Sequence, residues 1–143
     1  MTRGETWQLA SAILLLTVIA AGFAWFERSR PPARVVATVA AMVGFAVIGR
    51  ILFAPFPNVK PTTDIVIIAG FALGFAPGWM TGALTALVSN FYFAQGPWTP
   101  WQMLAWGLCG LFGAAIARAG VKPGSGVSRR IPMALLCALA GLG

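Results

Sequence analysis

The stretch IVIIAGFALGFAPGWMTGALTALVSNFYFAQ, residues 65–95, contains no charged side chain and has glycines at 70, 74, 78 and 82. Crossing a bilayer takes about 20 apolar residues at 1.5 Å each. Ile65 to Ala76 is short for that unless Pro61-Thr62-Thr63-Asp64 forms its first turn, with Pro tolerated there and Thr or Asp as cap. Ala76-Pro77-Gly78 reads as a tight turn, and Trp79 to Gln95 as the returning helix, ended by Gly96-Pro97 and Thr99-Pro100. The stretch is therefore expected to be a close helical hairpin in lipid. Gly70, Gly74, Gly78, Gly82 and Ala86 fall four apart, so backbones can approach closely where no hydrophobic effect drives association.

The same reading extends in both directions. Trp7 to Phe26 is an apolar run closed by Glu27, Arg28, Arg30, Pro31-Pro32 and Arg34, and it reads as a retained helix rather than a cleaved leader. Val35 to Ala54 follows, with Arg50 near its end and a polar loop from Phe56 to Asp64. Trp101 to Ala117 is a fifth run, with Gly107, Gly110 and Gly113 as further packing positions, and Ile131 to Gly143 begins a sixth that is too short to span. We expect an all-α polytopic transmembrane bundle of about six spans, the last incomplete in a chain that reads as truncated. Residues 1–34 form an extra amino-terminal helix with its basic loop, and residues 35–143 form the main domain.

Composition excludes most alternatives. Of 143 residues, 59% are hydrophobic and 9% charged, against about 25% charged in soluble domains. Three acids and no histidine leave little for acid/base catalysis, and Cys109 and Cys137 stand in apolar runs without metal-ligand spacing, so both read as buried small residues. The net charge of +7 lies between apolar runs rather than along one face with interleaved aromatics, which argues against nucleic acid. On an alternating path Arg28, Arg30, Arg34, Arg118, Lys122, Arg129 and Arg130 fall on one side, with only Arg3 and Lys60 opposite. That bias makes the first side cytoplasmic and the amino terminus external.

Residues 89–106, SNFYFAQGPWTPWQMLAW, bring amides and aromatics to one outward turn. Trp and Tyr suit a membrane interface on their own account. Asn90, Gln95 and Gln102 do not, because an amide near lipid costs free energy unless bonded. With Tyr92, Trp98, Trp101 and Trp106 as stacking surface, they suit a large polar organic ligand; an aromatic belt is the alternative. Arg50 reads first as a side chain that snorkels to the headgroups. It could instead pair with Asp64 or hold an anionic part of a ligand, a role open also to Lys60. On the second helix Ala33, Ala37, Ala40, Ala41 and Gly44 form a smooth stripe, for internal packing or for a partner helix.

Pro57-Asn58-Val59-Lys60-Pro61-Thr62-Thr63, the glycine-spaced hairpin, Ser89-Asn90-Phe91 and Gln95-Gly96-Pro97-Trp98-Thr99-Pro100-Trp101-Gln102-Met103 resemble the substrate-binding S component of energy-coupling factor (ECF) vitamin transporters. Within that family the pattern looks most like members associated with cobalamin or related corrinoids. The resemblance covers about Arg34 to the end. It implies a six-helix membrane protein that binds its vitamin in an outward pocket, with no cofactor of its own and no enzymatic activity. A coupling transmembrane subunit and two cytoplasmic ATPase subunits would drive release inward by toppling the S component. The family's Ala-x-x-x-Ala stripe against the coupling subunit is matched by Ala37 and Ala41. The extra first helix and the missing last one depart from the family. A lipid-modifying membrane enzyme would need paired acids or a metal site, which Asp64 alone does not supply; a non-transporting scaffold or assembly subunit is the remaining alternative.

Overall fold

The computed structural model describes residues 3–57 and 61–119, which form five α-helices: α1 (Arg3–Arg28), α2 (Ala33–Leu52), α3 (Pro61–Leu73), α4 (Phe75–Phe93) and α5 (Thr99–Arg118). The charged and Pro-rich stretches after α1 and α2 stop helices as expected, Arg30 taking a positive φ of 44° in the first linker. Three of the helices, α1, α2 and α5, are long and apolar enough to cross a membrane. α4 has 19 residues, and Thr81, Thr85, Ser89 and Asn90 are buried along it. The sixth run, Lys60 and Cys137 lie outside the described residues.

The distribution of polarity fits lipid as the outer solvent. Large apolar side chains such as Phe45, Leu14 and Leu52 are about two-thirds exposed, whereas Thr62, Thr81, Thr85, Ser89 and Asn90 are buried. Thr81 Oγ1 donates to the Pro77 carbonyl at 2.8 Å and Thr85 Oγ1 to that of Thr81 at 2.6 Å, so these hydroxyls are satisfied within their own helix.

The hairpin forms, but its corner is elsewhere. The break is at Gly74, whose φ of +100° and ψ of −172° favour a residue without Cβ. Ala76, Pro77 and Gly78 are already in the first turn of α4, where the N–H that proline lacks would have no helical partner in any case. Gly78 is used for packing: a Cβ there would lie 2.6 Å from the Gly70 Cα and 2.8 Å from the Gly110 carbonyl oxygen. A Cβ at Gly70 would overlap the Gly110 carbonyl, one at Gly82 the Trp106 carbonyl, and one at Gly113 that of Ile67. Backbones of α3, α4 and α5 therefore meet around Gly110. Internal packing is what the glycines at 70, 78, 82, 107, 110 and 113 do.

α2 lies alongside α4 in the same direction, with Val39 and Val43 packed on Met80 and Arg50 reaching Ser89 nearer the far end. α1 packs on α4 and α5 through Leu15 and Ile19, which join Ala83, Ala86 and Met103. Farther along, Gly22 on α1 and Gly107 on α5 both abut the indole of Trp79. Arg118 lies over the Phe75 ring at 4.7 Å. The α1–α2 junction, with Arg30 in the linker and Arg28 and Arg34 at the adjoining helix ends, lies at the same end, since Phe26 and Val35 pack on the cluster around Met80. Arg50 and the α4–α5 turn occupy the opposite end.

Candidate functional site

The site begins with Arg50. The residue is partly exposed in the last turn of α2, and its guanidinium lies against α4 and α5. Nη1 donates a short hydrogen bond to Ser89 Oγ and another to Asn90 Oδ1 at 2.9 Å. The guanidinium carbon lies 4.7 Å from the Phe93 ring centre and 4.9 Å from that of Trp106, a double cation–π contact.

Asn90 is 1% exposed and fully engaged. Its Nδ2 donates to Gln102 Oε1 at 2.7 Å and to Thr99 Oγ1 at 3.1 Å, which aims Oδ1 at Arg50. Thr99 Oγ1 donates in turn to Gln95 Oε1 at 2.9 Å, and Gln95 Nε2 donates to the Leu87 carbonyl at 3.0 Å. The chain is thereby pinned where it leaves α4 through Ala94 at a φ of 80°, a strained value for a residue with a Cβ. One hydrogen-bonded relay thus runs from α2 through α4 to the start of α5. Every link between neutral groups also fixes the place of the one charge.

Beside the guanidinium is a cavity of about 200 Å³, lined by Arg50, Phe53, Phe56, Thr62, Phe93 and Trp106. Phe53 and Phe56 form a tilted ring pair 6.1 Å apart. Thr62 Oγ1 donates to the Ala46 carbonyl at 3.3 Å and joins the start of α3 to α2.

Arg50, Asn90, Gln102 and Trp106, separated in sequence, are brought together, with Gln95 at the end of the relay. Tyr92 is 68% exposed and set edge-on to Phe93, and Trp98 is exposed beside Gly96. Trp101 faces a different, larger groove of about 780 Å³ that it shares with Trp7, Leu15, Pro97 and Pro100. Ser89, Thr99 and Phe93 were not among the expected ligands. Ser89 and Thr99 give little signal because a hydroxyl so often bonds its own backbone, and Phe93 looks like belt. Asp64 does not pair with Arg50: its Oδ1 is buried with no hydrogen-bond partner. Among the described residues no group of His, Cys, Asp and Glu could hold a metal ion.

On α2, Val39, Val43 and Ala46 face the core, while Ala33, Ala37, Ala40, Ala41 and Gly44 are exposed. A Cβ at Gly44 would meet nothing within 4 Å.

Comparison with known protein families, curated proteins and solved structures gives no match.

Proposed function

We propose that this chain is the substrate-capture subunit of an ECF-type transporter, a membrane protein that binds a vitamin-like solute and passes it inward without changing it chemically. The observation that carries this reading is the Arg50 cluster: a cation in the last turn of a candidate membrane span, set between two aromatic rings and fixed by a neutral amide and a hydroxyl beside a cavity. Ionisable groups within a membrane-spanning helix that turn to neighbouring helices mark binding or transport paths. Among the described residues the groups beside the cavity are one cation, amides, hydroxyls and aromatic rings, a set suited to holding a solute. A corrinoid is the favoured solute by resemblance. The cavity takes one group of such a molecule rather than all of it, since whole-ligand pockets run to about 300–1,000 Å³.

In this reading the Arg50 end faces outward, the arginine-rich end faces the cytoplasm, and the amino terminus is external. The chain crosses the cell membrane about six times. The exposed stripe with Ala37 and Ala41 docks the coupling transmembrane subunit, and two cytoplasmic ATPase subunits supply the energy. Asn90 and Gln102 act as positioning residues for Arg50, Trp106 as stacking surface, and Gln95 as a brace for the turn.

Small-molecule mass spectrometry of the protein purified in mild detergent is expected to find a retained solute. Ala37→Leu combined with Ala41→Leu should abolish co-purification with the coupling and ATPase subunits and reduce uptake more than tenfold, with ligand retention unchanged. Undiminished uptake in that double variant defeats the coupling role. If no vitamin binds at all, a scaffold subunit is the better reading.

A further inference from the structure

We infer that the cavity beside Arg50 receives an anionic oxygen group, a carboxylate or a phosphate, belonging to the captured solute; this rests on the binding role proposed above.

The first ground is an incomplete set of partners. A guanidinium has five N–H donors. Nη1 serves Ser89 and Asn90, and among the described residues Nε and Nη2 donate to no protein atom. Both acceptors are neutral, and Asp64 forms no ion pair with it. The rings of Phe93 and Trp106 stabilise the cation without neutralising it. Near the end of α2, partly exposed beside the cavity, the guanidinium therefore has room and free donors for an anion, and among the described residues no acid supplies one.

The second ground is shape. The planar fork of arginine matches two oxygens of one carboxylate or phosphate. Ring contacts and the Asn90 bond hold the fork still, so little entropy is lost when a second pair of hydrogen bonds forms. About 200 Å³ admits such a group together with a flat ring beside Phe53 and Phe56.

The third ground is direction. A lipid headgroup would be met by a side chain stretched outward to the interface. Arg50 is instead tied to α4 and set between two rings.

The probes are benzoate, phenyl phosphate and the neutral benzamide, titrated into the whole protein in detergent and followed by calorimetry and by the unfolding midpoint. Benzoate or phenyl phosphate should bind at least tenfold more tightly than benzamide. Arg50→Gln should abolish that preference, and Arg50→Lys should keep a weakened one. Equal binding of benzoate and benzamide by the unaltered protein, or no binding of either anion at millimolar concentration, overturns the inference even if Arg50→Gln does not fold. Adding short-chain dihexanoylphosphatidylcholine to the detergent titration separates the sources: an unshifted benzoate affinity supports a solute, and competitive displacement of benzoate means that headgroup phosphates occupy the site and overturns the inference. The Ala37 and Ala41 variants test transport independently. Anion binding without partner assembly would leave this site standing and remove the transporter reading.

Discussion

α4 is joined to α5 in two unlike ways along its length. Around Gly78 and Gly82 the backbones touch, and even a methyl group would overlap a carbonyl on the facing helix. Around Ser89 and Asn90 the helices are linked by side chains, through Thr99, Gln102 and the incoming Arg50. In lipid, burial of apolar surface gives little reason for helices to associate, so close packing and hydrogen bonds take its place. The difference is one of purpose. The glycine seam uses all its contacts on itself, whereas the polar end leaves part of a charged group available beside a cavity.

The sharpest way to break the seam is Gly110→Leu. Facing backbone rather than flexible side chains, the new side chain has nothing that can yield, and we expect a loss of more than about 3 kcal/mol, or no folded protein, in denaturant titrations in mixed micelles. Asn90→Leu attacks the other end. It leaves Arg50, Gln102 and Thr99 without a shared partner, and a loss of about 2 kcal/mol is expected, with anion binding weakened as well. If Asn90→Leu proves as severe as Gly110→Leu, the polar end is the true staple of the bundle and the contrast fails. Gly44→Leu completes the series. With no atom near its Cβ, it should change stability by less than about 0.5 kcal/mol by the same titration.

Much of the helix layout was legible because charge and proline punctuate it: Arg30, Pro31 and Pro32 stand between α1 and α2, Pro55 and Pro57 follow α2, and Pro61 opens α3 with Asp64 in its first turn. The hairpin corner was misread. Pro77-Gly78 has the chemistry of a turn, but proline is also harmless in a first helical turn, and Gly78 is there for the approach of Gly70 and Gly110. At the site, Asn90, Gln102, Trp106 and Arg50 stand out because amides and a cation do not belong in lipid without a reason. Their meeting was not legible, because it depends on α2 lying beside α4, a pairing that no local pattern encodes. The partners of Arg50 were not legible for the same reason: Ser89 and Asn90 are distant in sequence.

Trp79 has one further consequence. Its indole fills a notch between Gly22 on α1 and Gly107 on α5, and its N–H finds no acceptor there. That contact rests on fit alone, so together with Leu15 and Ile19 it joins α1 to the bundle by shape rather than by hydrogen bonding from the indole. A side chain added at Gly22 or Gly107 would meet the same ring from opposite helices, which makes Trp79 the shared wedge of α1, α4 and α5.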